Sequence, residues 1–196
     1  MNNARPRKAV FLDRDGVINK CAAPHCYVSR WEDFEFLPGA VEGIKLLNDA
    51  GYLIFLISNQ RGIARGLYTI EEVQTLHEMM CGYLERMGAH IDGIYICPHN
   101  YGECDCRKPG IGLFRQAEQE WMIDKEKSWC IGDFENDIMA GIAYGVKTIL
   151  IGDETEKYGQ DYTFSSLQVA GKYLAGKTAD LKGHKEWITA RQFGII

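Results

Sequence analysis

Short apolar runs alternate with amphipathic stretches along most of the chain. Ala9-Val10-Phe11-Leu12 is a continuous apolar run that breaks at Asp13, as a buried strand does. A polar segment carrying Tyr27, Trp31, Phe34 and Phe36 follows. Pro38 suits a first helical position, Ala40, Ile44 and Leu47 keep helical spacing, and Gly51 suits the stop. Tyr52 to Ile57 is too short for a helix and predicts a second buried strand. Thr69 with Glu72 is a capping box, opening a helix with Val73, Leu76, Met80, Tyr83 or Leu84, and Met87 on one face. Gly88 closes it.

Ile94-Tyr95-Ile96 is the next strand and runs into Cys97. Leu113, Phe114, Ala117 and Trp121 mark another helix, Trp129-Cys130-Ile131 a strand, Ile138 to Tyr144 a helix, and Thr148 to Ile151 a further strand. Phe164 to Leu174 predicts a last helix, begun at Ser165 or Ser166. Strands alternating with helices predict an α/β fold: a doubly wound parallel sheet of Rossmann-like type. The chain is expected to be one domain, with a core at about 8–176 and a tail at 177–196 of unassigned role.

The 196 residues are 46% hydrophobic and 25% charged, which excludes a disordered tail or a coiled coil. With 22 Lys plus Arg against 27 Asp plus Glu, the net charge is −5. That balance lacks the footprint of a general nucleic-acid binder, so any anion must be met locally. No apolar run approaches the ~18 residues of a membrane span, and Ala9–Leu12 is too short for a signal-peptide core. The expectation is a cytoplasmic monomer with neither nucleic acid nor membrane as partner. Of seven cysteines, Cys97, Cys104 and Cys106 cluster around His99, which favours metal over a disulfide framework.

In an open parallel sheet, ligands bind beyond the carboxyl ends of the strands. The first strand delivers Asp13-Arg14-Asp15-Gly16, the second Ser58-Asn59-Gln60, the third the cysteine cluster and then Arg107-Lys108-Pro109, the fourth Gly132-Asp133. Asp13 can attack phosphorus and carry an aspartyl-phosphate, while Asp15 passes a proton to the leaving oxygen and later takes one from water. Mg²⁺ would screen the charges, with Asp13 and Asp133 as ligands and Asp137 orienting them one turn on. Ser58, the backbone amides after it and Lys108 would hold the phosphoryl oxygens. Singly, each piece is ordinary: an Asp-x-Asp turn is often only solvated, and a lone lysine is usually surface. Their order at successive strand ends carries the signal.

Phe11-Leu-Asp-Arg-Asp-Gly-Val-Ile-Asn19, Ser58-Asn59-Gln60, Arg107-Lys108-Pro109 and Gly132-Asp133 with Asp137 resemble the four motifs of haloacid-dehalogenase-type phosphatases. The likeness runs from about Lys8 to Ile151 and falls in the small histidinol-phosphatase and heptose-bisphosphate-phosphatase group. It implies Asp13 as nucleophile, Asp15 as acid/base and Mg²⁺ ligand through its backbone carbonyl, Asp133 on Mg²⁺, and Ser58 and Lys108 at the phosphate. Spacing independently leaves no room for a cap domain, so selection falls to loops 20–36, 59–68 and 97–107.

Cys97-x-His99 and Cys104-x-Cys106 have the composition of a tetrahedral Zn²⁺ site, though spaced more tightly than a usual knuckle; buried thiols are the plainer alternative. The similar group carries a Cys-Pro-His…Cys-x-Cys zinc loop, which implies a structural Zn²⁺ pinning Arg107 and Lys108. Cys21, His25 and Cys26 lack a fourth ligand nearby and read as an ordinary loop. Gln60-Arg61-Gly62-Ile63-Ala64-Arg65-Gly66 is similar to the heptose enzymes, implying a small phosphorylated sugar: a heptose 1,7-bisphosphate cut at its 7-phosphate. Asn59, Gln60, Arg61 and Arg107 join the expected substrate site, and a loop-fixing salt bridge is an equal reading for Arg65. Phe134 stands where many relatives have a basic residue, which weakens anion binding on that side. Histidinol phosphate or another small sugar phosphate is the alternative substrate. A receiver-like phosphoacceptor switch is the alternative of another class, disfavoured because it needs no Asp15.

Overall fold

The structure, a computed structural model, describes residues 5–23, 26–153 and 155–176. His25 and the 177–196 tail lie outside the described residues. Six parallel strands form one sheet in the order β3-β2-β1-β4-β5-β6: β1 Ala9–Leu12, β2 Leu53–Asn59, β3 Gly93–Cys97, β4 Trp129–Gly132, β5 Lys147–Ile151 and β6 Tyr162–Phe164. The helices are α1 Ala40–Asp49, α2 Ile70–Arg86, α3 Gly112–Glu120, α4 Glu135–Tyr144 and α5 Leu167–Leu174.

Because successive strand side chains alternate faces, the apolar runs split into two cores. Val10, Leu12, Ile54, Leu56, Ile131 and Ile149 pack against Ile44 and Leu47 of α1, Met80 and Leu84 of α2, and Leu167 of α5. Phe11, Leu53, Phe55, Ile57 and Cys130 face Leu113, Phe114 and Ala117 of α3 and Tyr144 of α4. The Phe11 ring centres the second core, 4.7 Å from Phe114 and 5.3 Å from Phe55. Truncating such a buried ring costs ~3–5 kcal/mol.

The strand order reverses between β1 and β4, which opens the ligand crevice beyond their carboxyl ends. The segment between β1 and α1 folds as a flap rather than a cap domain. Lys20 N–H donates to Glu35 O, Leu37 N–H donates to Ile18 O, and Trp31, Phe34 and Phe36 cluster with Tyr83 of α2.

Four local expectations are corrected. Pro38 stands before the helix; α1 starts at Ala40, with Gly39 as N-cap at φ 80°. The second strand begins at Leu53, after Tyr52, and continues through Ser58 and Asn59 because β3 pairs with them. Met87 is the exposed C-cap of α2, where the helical stripe no longer applies. Phe164 belongs to β6, which pairs with β5; α5 starts only at Leu167, capped by the Ser166 side chain.

Candidate active site

Asp13 leaves β1 and Asp133 leaves β4 on adjacent strands, while Asp137 follows one turn into α4. Carboxylate oxygens of these three residues lie within 4.8 Å of one another. Their approach depends on Gly16, whose φ is 87° and whose place leaves no room for a Cβ: it would sit 1.8 Å from Asp133 Oδ2. Lys108 Nζ donates to Asp13 Oδ1 at 2.6 Å and to Ile57 O at 2.7 Å, and pairs with Asp137 Oδ1 at 2.6 Å. Asp137 Oδ2 accepts from Phe134 N–H at 3.2 Å, so both its oxygens are occupied by the protein.

Burial, opposed by Lys108 and reinforced by Asp137, Asp133 and Asp15, pushes Asp13 up to about 8. Burial and Asp137 push Asp133 up to about 6. Lys108 is raised; its two carboxylate partners outweigh its burial. Crowded oxygen donors that resist ionisation in the absence of a cation fit a hard divalent ion such as Mg²⁺. Asp13 and Asp133 are the members with oxygens to offer it.

Ser58 Oγ, at the end of β2, accepts from Gln60 Nε2 at 2.8 Å, and Tyr68 OH donates to Gln60 Oε1 at 2.8 Å. Gln60 is therefore committed within the fold: even its N–H donates to Cys97 O. Asn59 is likewise turned away from a ligand. Its side chain donates to Lys108 O at 3.1 Å and accepts from Lys108 N–H at 3.0 Å, clamping the lysine backbone. Asn59 and Gln60, expected at the substrate, instead hold Lys108 and Ser58 in place.

Asp15 points toward Arg14, which donates from Nη2 to Oδ2 at 2.9 Å and to Oδ1 at 3.0 Å; Asn19 Nδ2 donates to Oδ1 at 2.9 Å. Arg14 is 1% exposed, and its Nη2 also donates to Val28 O at 2.6 Å. Sequence reasoning passed over Arg14 and Asn19, although their place inside the first motif was a signal. It also missed Cys21, whose Sγ donates to Asp133 Oδ2 at 3.7 Å; burial and then Asp133 push that thiol up to about 12.

Around the crevice, Arg61 Nε donates to Asn100 Oδ1 at 2.6 Å, and its guanidinium lies 4.1 Å from the Tyr101 ring centre. Arg107 stacks on the same ring at 4.5 Å, and its Nε and Nη1 are buried with no hydrogen-bond partner among the described residues. Arg65 makes no salt bridge among the described residues; its N–H donates to Arg61 O at 3.2 Å, and its Nη1 donates to Tyr27 OH at 3.0 Å. Phe134 is 57% exposed and faces Tyr158.

Cys97, His99, Cys104 and Cys106 place their ligand atoms within 4.8 Å of one another. The sulfurs of Cys97 and Cys104 are 3.5 Å apart, those of Cys106 and Cys104 3.2 Å, and His99 Nδ1 is 3.4 Å from Cys106 Sγ. Although burial raises it, hydrogen bonds from the Cys106 thiol and the Arg107 backbone hold the Cys104 thiol at about 7. Four such donors fit a closed tetrahedral Zn²⁺ site.

Residues 8–173 match the polynucleotide kinase 3 phosphatase family. The chain is 45% identical over 150 residues to the D-glycero-β-D-manno-heptose-1,7-bisphosphate 7-phosphatase of Haemophilus ducreyi, covering 72% of this chain and 81% of the relative. The chain belongs to that family, among its heptose-bisphosphate phosphatases. The same-named enzyme of Pasteurella multocida is 39% identical over 183 residues, covering 89% of this chain and 95% of its own. The crystal structure of a D,D-heptose 1,7-bisphosphate phosphatase from B. bronchiseptica, complexed with magnesium and phosphate, superposes with a TM-score of 0.78. It is 28% identical and covers 87% of this chain and 99% of that one. This phosphatase is thus a phosphoric monoester hydrolase on a haloacid-dehalogenase-type sheet, and the resemblance of the four motifs is borne out.

Proposed function

We propose that the chain removes the 7-phosphate of D-glycero-D-manno-heptose 1,7-bisphosphate as a single capless domain, working as a cytoplasmic monomer. The observation that carries the chemistry is Asp13 at the mouth of β1, held by Lys108 at 2.6 Å and crowded by Asp133. The relatives named above supply the substrate class. Asp13 and Asp133 would hold Mg²⁺, with the Asp15 backbone carbonyl beside them. Bound there, the ion supplies charge screening between carboxylate and phosphate.

Asp13 Oδ attacks phosphorus, and the bond from phosphorus to the sugar's primary oxygen breaks. That oxygen takes its proton from the Asp15 carboxyl. Asp15, now a carboxylate, takes a proton from water as the water oxygen attacks the Asp13 phosphate. Asp13 is freed, orthophosphate leaves, and Asp15 is protonated again. Lys108 and the Ser58 hydroxyl, whose oxygen accepts from Gln60 and whose hydrogen is free to donate, hold the phosphoryl oxygens. The distal phosphate lies toward Arg61 and Arg107. Arg107 is the better provided, because its Nε and Nη1 have donors to give and no hydrogen-bond partner among the described residues. Zn²⁺ on the cysteine loop is structural: four protein ligands leave no open position.

The test is Mg²⁺-dependent phosphate release from the heptose bisphosphate, from other sugar phosphates and from histidinol phosphate. The heptose bisphosphate should give the highest kcat/KM. Faster hydrolysis of histidinol phosphate would transfer the assignment to it.

A further inference from the structure

The chemistry above gives no work to His77, a histidine 4% exposed on α2, far in sequence from every motif. Its Nε2 lies 3.4 Å from Arg14 Nη1. A guanidinium can only donate, so Nε2 must be the bare acceptor and the ring proton must sit on Nδ1. The contact requires a neutral ring, and burial followed by the Arg14 charge depresses His77 to about 3.

Arg14 is thereby held at three places on one rigid plane. Nη1 meets His77, Nη2 meets Val28 O at 2.6 Å, and the Nε–Nη2 side faces Asp15. The two Asp15 oxygens are not held alike. Among the described residues, Oδ1 receives Arg14 Nη2, Arg14 Nε at 3.3 Å and Asn19 Nδ2, whereas Oδ2 receives Arg14 Nη2 alone. Oδ1 is thus the anchor, and Oδ2 is the oxygen left to carry a proton. Without an acceptor at position 77, Arg14 Nη1 would be a buried donor with no partner, and the guanidinium would turn to find one, taking Asp15 with it.

We propose that His77 is a positioning residue for proton transfer: as the acceptor for Arg14 Nη1 it fixes the guanidinium that aims Asp15 at the leaving oxygen. The inference rests on the reading of Asp15 as acid/base. If His77 merely filled the core, an aromatic ring of similar size would replace it without regard to the leaving group.

The experiment compares kcat/KM on heptose 1,7-bisphosphate, whose primary alkoxide needs a proton, with 4-nitrophenyl phosphate, whose leaving group does not. His77→Phe and His77→Leu remove the acceptor; His77→Gln restores one; Asp15→Asn runs alongside. The acceptor-less variants should lose about ten- to a hundredfold on the sugar, in line with a displaced catalytic group, and less than about threefold on the aryl ester. His77→Gln should recover most of the sugar activity. Equal losses on both substrates, or none, in folded His77→Phe overturn the proposal. If Asp15→Asn depends on the leaving group and His77→Phe does not, this proposal falls alone; if Asp15→Asn does not depend on it, both readings fall. A readout without any variant is the ¹⁵N spectrum of the wild-type histidines at neutral pH. His77 should show an unprotonated Nε2 in a neutral ring, and an Nε2–H tautomer or an imidazolium would overturn the inference even if no variant folds.

Discussion

At the scale of single residues, the site divides into side chains that face the crevice and side chains that aim them. Asp13, Ser58 and Asp133 could be named from the sequence because each ends or follows an apolar run that can only be a strand, and strand ends share a crevice; Lys108 could be named because it closes the cysteine loop beyond the third strand. Asn59, Gln60, Arg14 and His77 could not be assigned in this way. Their roles depend on long-range contacts, such as Asn59 to the Lys108 backbone, that no local pattern encodes. Two predictions belong here. Asp15→Asn should lose ~10²–10⁴ in kcat/KM on sugar phosphates and much less on aryl phosphates, measured by steady-state kinetics on both. Arg61→Ala and Arg107→Ala should each cost ~1.5–3 kcal/mol of transition-state binding, roughly ten- to a hundredfold in kcat/KM, on a bisphosphate. Measured on a monophosphate lacking the distal charge, the loss should be smaller. Equal losses would make these arginines props of Tyr101 and its loop rather than anion receptors.

Among the elements, the regular ones were legible and their ends less so. The capping box of Thr69 and Glu72 is present, and α2 starts where it says. β6 was missed because Tyr162-Thr163-Phe164 is short, and its strand character comes from pairing with β5 rather than from a run of its own. The cysteine loop was legible by composition. Its geometric role is to carry Tyr101, which stacks with Arg61 and Arg107, and to lead directly into Lys108. Protein purified without added metal should therefore hold one zinc per chain by elemental analysis. Stripping it should lower activity by loosening Arg107 and Lys108, while Asp13 stays in place on β1. Zinc-free, fully active protein in which Cys97, Cys104 and Cys106 all titrate freely would contradict this.

For the whole molecule, metal, protonation and stability are linked. Asp13 and Asp133 carry folded-state pKa values raised to about 8 and about 6, because burial and their neighbours disfavour the charged forms. A raised carboxyl stabilises the metal-free fold below its unfolded value near 3.8, and that contribution is lost as pH rises through the folded value. Mg²⁺ binds the deprotonated pair, so the rise in Tm on adding Mg²⁺ should be larger at pH 8 than at pH 5. A shift independent of pH would place the ion away from these two carboxylates.

The central claim is that Asp13 itself forms the bond to phosphorus. Asp13→Asn keeps the shape of the side chain and removes the nucleophile, and turnover of heptose 1,7-bisphosphate by that variant, with Mg²⁺ saturating, is the direct measurement. Turnover should fall to the background of the uncatalysed solution. A folded variant that still releases phosphate at a rate near that of the parent would contradict the covalent mechanism.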